Sequence, residues 1–319
     1  MVRNLGCFVQ TGLIALLGLG WVAPAAAEPI VALTVQNALI MFDSATPGTV
    51  SAPVAVTGLL AGDFLGGIDR RPSLGPNNGV LYGFGVNFTT GAGHIYTLDP
   101  LTGGATLVST LAADPADTTA PFPYTGVSGS AFGVDFNPTV DRLRVTSDTD
   151  QNLRINVDNG LVQLDVPLAY QPGDPLFSLN PVDAGVAYSN NFGGATTTTL
   201  RGVDSGQIPD ALVIHSNPNG GLLQFSLALP FDSMQTSYDI SGLTGTPYFA
   251  LLPAGTFSSQ LYAAGPGGVT LVGNIGGGVA VLGIAAPVGP QQVPEPTTLA
   301  LMGLGLAGLV ARRWSRRRP

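Results

Sequence analysis

Apolar positions in this chain come in short runs, each cut off by a turn-forming cluster. The clearest set lies between Phe132 and Val166. Its runs are Gly133–Phe136, Arg142–Thr146, Asn152–Val157 and Leu161–Val166, and the breaks are Asn137-Pro138, the Asp148–Asp150 cluster and Asp158-Asn159-Gly160. Short β-rich runs bounded by Asn, Asp, Gly and Pro predict one four-stranded antiparallel meander. The pattern recurs along the chain. First strands are expected at Gly67–Asp69, Gly133–Asp135, Gly185–Ala187, Tyr238–Ile240 and Gly283–Ala285. Second strands are expected at Val80–Val86, Arg142–Thr146, Thr197–Val203 and Tyr248–Leu252. Third strands begin near residues 94, 152, 211 and 260, in steps of 58, 59 and 49. Fourth strands are expected at Ala105–Thr110, Leu161–Val166, Leu222–Leu227 and Val269–Val272. Four strands per repeat at such a period is the signature of a propeller.

The last repeat is split between the ends. Val281–Ala285 reads as a first strand with nothing after it, and Ile30–Val35, Ala38–Phe42 and Val50–Val56 supply the missing three. A ring that closes in this way leaves no sheet edge unpaired between its ends. The prediction is an all-β, five-bladed propeller over residues 28–287, its last blade closed by N-terminal strands plus one C-terminal strand, and flanked by two apolar targeting helices. A sandwich or solenoid with incidental self-similarity is the competing arrangement.

Both ends read as addresses. Residues 1–27 carry Arg3, the apolar run Leu13–Leu19 and small residues at Ala25 and Ala27, which fit signal-peptidase cleavage before Glu28. The only cysteine, Cys7, lies inside this leader, so disulfides and thiolate chemistry are not expected in the body. At the other end, a linker over residues 288–296 carries Pro294-Glu295-Pro296. Residues 297–319 then hold the apolar run Leu299–Ala311 and the basic end with Arg312 and Arg313. With its preceding threonines that run would form a helix of about 22 Å at 1.5 Å per residue, short for a ~30 Å hydrocarbon core. Arginines behind the span stay cytoplasmic, which places the body outside the membrane.

Pro294-Glu295-Pro296, a short span and a basic end together resemble the PEP-CTERM sorting signal. The resemblance implies an exosortase-type membrane protease as partner, in a Gram-negative, exopolysaccharide-producing bacterium. It further implies a protein transiently membrane-anchored by its tail, then at the cell surface or extracellular. The body resembles the domain-of-unknown-function family 4394 through Gly67-Ile68-Asp69, Arg71-Pro72, Leu81-Tyr82-Gly83, Ile95-Tyr96, Leu98-Asp99-Pro100, Gly133–Pro138, Asp141–Val145 and Gln151–Arg154. That second resemblance implies fold and address and carries no chemistry.

Charge narrows the function classes. All twelve basic residues are arginine. Six of these lie in the body against eighteen aspartates and Glu28, so the body is strongly acidic and repels nucleic acid and anionic lipid. Asp69, Asp135 and Asp239 hold the same place in three repeats. First strands lining an axis would bring them together, as structural, cation-binding or catalytic carboxylates. Asp148, Asp150 and Asn152 open like a calcium loop, but Leu153 stands where the turning glycine belongs and no glutamate follows at the twelfth place. Calcium is the one cofactor this pattern raises. Arg142, Arg144 and Arg154 are expected to pair with Asp135, Asp141 and Asp148 and pin two blades. His94 and His215, the only histidines, fall in different repeats, and no G-x-S-x-G elbow is present. The sequence therefore predicts a non-catalytic binding or matrix protein of the exopolysaccharide-associated envelope. The alternative is a secreted carbohydrate-active enzyme using the repeated aspartates.

Overall fold

The computed structural model describes residues 27–292. Ala25 and the rest of residues 1–26, Pro294, Glu295, Pro296, Arg312, Arg313 and both expected apolar helices lie outside the described residues, whereas Ala27 is described and exposed. Among the described residues every regular element is a strand, and no helix is long and apolar enough to cross a membrane.

Five small sheets are arranged as a five-bladed propeller. β1 (Pro29–Thr34), β2 (Ala38–Asp43) and β3 (Val54–Ala55) make the closing blade with the last strand, β22 (Val281–Ala285), in the order β22-β1-β2-β3. The seam is antiparallel, with Val31 opposite Ala285 and Leu33 opposite Gly283. The first blade is the meander β4 (Asp63–Arg70), β5 (Leu81–Asn87), β6 (Ala92–Leu98) and β7 (Ala105–Thr110). In the second blade a short β8 (Ala112–Ala113) precedes β9 (Phe132–Asn137), β10 (Arg142–Ser147), β11 (Asn152–Asn156) and β12 (Leu161–Leu164). The third repeats this with β13 (Ala169–Tyr170), β14 (Asp183–Tyr188), β15 (Leu200–Asp204), β16 (Ala211–Asn217) and β17 (Leu222–Ala228). The fourth is β18 (Ser233–Ile240), β19 (Pro247–Pro253), β20 (Gln260–Gly265) and β21 (Gly268–Asn274).

The split blade and the four-strand period are as the repeats predict. Two features differ. β8 and β13 add a fifth, parallel outer strand to the second and third blades by pairing with β12 and β17. Thr196–Thr199, β-branched and expected in a strand, is a loop. The Asn190 amide donates to Thr197 O, and the Ser189 hydroxyl accepts from Thr199 N–H, so local side chains take the backbone groups a ladder would use.

The cores lie between blades. Tyr82, Phe84 and Ile95 of the first blade pack with Phe136, Leu143 and Ile155 of the second. Ile30 and Ile40 of the closing blade pack with Tyr248 and Leu261 of the fourth. Full burial of such side chains contributes about 1.5–3 kcal/mol each, so the interfaces, not the single sheets, hold the ring together. The strands β4, β9, β14, β18 and β22 line the axis. The glycines that lead them let neighbours close in: a Cβ on Gly67 would meet Val134, and one on Gly133 would meet the Val186 backbone nitrogen. Beside them the axial void holds only about 10 Å³.

Residues 286–292 then form a strap across the end of the ring where the inner strands finish. Gly242 N–H donates to Pro287 O, Gly289 N–H to Asn191 O, and Gln292 N–H to Gly193 O. The Gln291 side chain exchanges two bonds with the Gly75 backbone. The strap thus touches loops after β4, β14 and β18. At the other terminus Glu28 is buried, accepting from the Ser241 and Tyr248 hydroxyls.

Candidate functional site

Residues 69, 135, 187, 239 and 285 occupy one equivalent place on the five inner strands, and the chain has Asp, Asp, Ala, Asp and Ala there. The N–H of the residue just beyond each place points inward, away from its own sheet, and needs an acceptor. Three carboxylates serve all five. Asp69 accepts from its neighbour Arg70 N–H at 2.6 Å and, across the blade boundary, from Phe136 N–H at 2.7 Å. Asp239 accepts from Ile240 N–H at 2.6 Å and from Ala286 N–H of the closing blade at 2.6 Å. Asp135 accepts from Tyr188 N–H of the third blade at 3.0 Å. Five donors thus meet six oxygens, and the oxygen left over is Asp135 Oδ2, which is buried with no protein partner.

The three carboxylates sit within 4.8 Å of one another, each 1% exposed. Burial pushes all three above the usual carboxylate range, Asp239 to about 7. The charge of Asp239 adds to the rise of Asp69, and the charges of both add to that of Asp135. Arg70 acts on Asp69 and Asp239, but its Nη1 is turned to Gly79 O. The repeated aspartates are therefore brought together as the equivalence of their places implies, in a sealed site.

The other sequence candidates are dispersed. Asp148 accepts from the Ser130 amide and hydroxyl. Asp150 holds a positive-φ turn position. Asn152 is fully buried with its oxygen on Arg144. Asp148 and Asn152 thus spend these atoms on protein partners, while Asp150 Oδ1 is buried without one. The arginine pairing is corrected. Arg144 lies opposite Asp135 in register, yet it reaches outward to Asp165 and Asn152 within its blade and to Tyr188 and Asn219 of the next. Arg154 forks onto the same Asp165, and Arg142 binds its own turn carbonyls. Asp141 belongs instead to Arg71, which spends all five N–H groups on Asp141, Asp158 and Tyr82. The prediction that arginines pin two blades holds, through different partners.

Each histidine lies beside an aspartate at the start of its blade's inner strand. His94 Nδ1 is 2.8 Å from Asp63 Oδ2, and His215 Nε2 is 2.7 Å from Asp183 Oδ2. Single-sequence reading missed this pair of pairs. Its signal was Gly85 and Gly202 on the intervening strands, which leave room for the aspartates. Ser216, next to His215, donates to Gln171 instead, so no nucleophile completes a triad there.

His215 borders an open cleft of about 480 Å³ between the second and third blades. Arg144 and Tyr188 form its floor, and Thr198, Thr199, Ser216 and Asn219 its rim. The volume suits a small ligand, and the rim offers hydroxyls and amides. Arg144, held by Asp165 and two asparagines, brings no free charge.

Fold and ends together define an exported propeller whose axis is closed and whose open hollow is polar. The chain belongs to the family described as Domain of unknown function (DUF4394), whose model matches residues 38–285. A PEP-CTERM protein-sorting motif matches residues 292–318. That motif implies export, a C-terminal membrane anchor before processing, and processing by an exosortase-type protein. No curated protein matches the chain. Among solved structures it is similar to one from a nidogen/laminin complex, with 9% identity, 83% of this chain and 99% of that one covered, and a TM-score of 0.44. It is also similar to TolB from Acinetobacter baumannii (18% identity, 83% and 55% covered, TM-score 0.39) and to the Malassezia sympodialis allergen Mala s 1 (11% identity, 76% and 75% covered, TM-score 0.40).

Proposed function

We propose that the protein is a non-catalytic binding protein of the cell envelope, released to the surface or exterior by an exosortase-type protease, and that its ligand is a neutral saccharide of the surrounding exopolysaccharide. One observation carries the non-catalytic reading: the three axial carboxylates are sealed, and five of their six oxygens are spent on backbone N–H groups. A glycosidase needs a carboxylate pair with room for a sugar ring between or beside it, and three carboxylates each 1% exposed, with oxygens within 4.8 Å of one another, leave none. That observation weighs against the alternative, a carbohydrate-active enzyme on Asp69, Asp135 or Asp239. The saccharide reading rests on the cleft, whose hydroxyls and amides complement sugar hydroxyls, while the acidic body disfavours anionic polymers.

The test is a glycan array with the purified protein and a Thr199→Trp variant that fills the exposed cleft rim. Binding to neutral glycans that the variant loses supports the reading. Binding that the variant keeps, or turnover of a glycan, overturns it.

A further inference from the structure

The axis presents a charge that the described protein groups do not balance. Three carboxylates carry −3 when ionised, and the guanidinium acting on two of them, Arg70, returns +1. In so buried a place the excess is not left uncompensated: the carboxylates take up protons or a cation takes their place. The hydrogen-bond tally independently points to a ligand: five inward N–H groups use five oxygens, and Asp135 Oδ2, buried within the cluster, is left over.

We propose that Asp69, Asp135 and Asp239 bind one divalent cation on the propeller axis, and that the ion is calcium. The donors are all carboxylate oxygens, the hard set that suits Ca²⁺, with no imidazole or thiolate among them to favour a transition metal. Calcium sits about 2.3–2.6 Å from its oxygens, and donor atoms within 4.8 Å of one another can surround it at that radius. Magnesium demands near-ideal octahedral geometry at about 2.0–2.1 Å, whereas calcium accepts flexible, mono- or bidentate carboxylates, which suits side chains already fixed by backbone N–H bonds. Asp135 Oδ2 offers both lone pairs, and each oxygen already bound to an N–H keeps one. Ala187 and Ala285, at the two remaining places, leave the centre clear.

The site would tie the whole ring from one point. Its ligands belong to the first, second and fourth blades, and the same carboxylates accept N–H groups from the third and the closing blade. Because the site is sealed, the ion enters as the ring closes and exchanges slowly afterwards.

The full chain, purified in detergent without chelator, is assayed for metal by mass spectrometry. It is then unfolded with EDTA, refolded with Ca²⁺, with Mg²⁺ or without metal, and melted. The expected result is close to one calcium per chain and a melting temperature several degrees higher with Ca²⁺ than without, Mg²⁺ giving less. Asp135→Asn keeps an oxygen for Tyr188 N–H, and should hold no calcium and melt alike with and without it. Asp148→Asn, outside the cluster, should bind as the parent does. A parent protein without stoichiometric calcium whose melting ignores Ca²⁺, or an Asp135→Asn variant that binds calcium normally, overturns the proposal. The readout is metal content and stability, so its failure leaves the saccharide reading untouched.

Discussion

Two buried clusters of charge lie on the same face of the second blade and differ in completeness. Around Arg144, four side chains each meet the guanidinium, and Arg154 shares Asp165 from the next strand. Four of the five guanidinium N–H groups are bound, and every nitrogen of the guanidinium has a partner. Around Asp135, three carboxylates converge with one guanidinium at their edge and one oxygen unused. Burial alone does not distinguish a structural cluster from a ligand site, because both are buried and both bridge blades. The tally of partners does.

The largest effect is expected from removing the guanidinium at the centre of the balanced cluster. Arg144→Ala leaves Asp165 half neutralised and Asn152 and Asn219 without their donor. It should cost about 3–5 kcal/mol, the penalty for removing one partner of a buried pair, measured by chemical denaturation. Arg144→Lys keeps the charge without the fork and should recover only part of it. A loss under about 1 kcal/mol would mean that the cluster is not closed around Arg144.

The axis should instead respond to pH. In the chelated protein the facing groups are Asp69, Asp135, Asp239, Arg70, Glu28 and the Tyr238 hydroxyl. The folded carboxylates hold protons more tightly than unfolded ones near pH 3.9, Asp239 up to about 7. The folded state then binds more protons than the unfolded state, so stability is greatest at low pH. It is lost as pH rises from about 4 through 7, with Asp69 and Asp135 contributing in the same direction. Melting should fall by several degrees between pH 5 and pH 8 without metal, and calcium should flatten the profile. A flat profile in the chelated protein would show that the axis is already neutralised.

The smallest effect is expected at the loop that the sequence nominates for calcium. Asp148→Asn weakens two exposed bonds to Ser130 and should cost about 1 kcal/mol or less, with calcium content unchanged.

Much of this architecture is legible in the residues. The glycine-led strands at 67, 133, 185 and 283 announce the axis because a Cβ at Gly67 or Gly133 would run into the neighbouring inner strand, and the lone Val281–Ala285 run announces the seam. The convergence of Asp69, Asp135 and Asp239 follows from their equivalent places. Their tally does not, because it depends on which N–H groups face inward across blade boundaries. Arg144 misleads for a related reason. Its register partner is Asp135, but a long side chain beside a short one reaches past it to Asp165, a residue at the end of a strand two rows away. β8 and β13 are two-residue additions outside the period, and Thr196–Thr199 shows local side-chain bonds prevailing over strand propensity. The cleft, made by two blades and a loop, has no sequence signature.

The strap over residues 286–292 sets how the body bears load while the tail still holds it. Tension applied beyond Gln292 reaches the bonds of Gln292, Gln291, Gly289 and Pro287 one after another, so they peel singly and do not share the force. Six residues released this way form a tether of at most roughly 20 Å at about 3.3–3.6 Å per residue. Only then does the pull arrive at β22, where the pairing with β1 and the packing of the axis resist it together. The molecule thus carries a stowed length of tether: a body that can stand off from its anchor before the ring itself is strained.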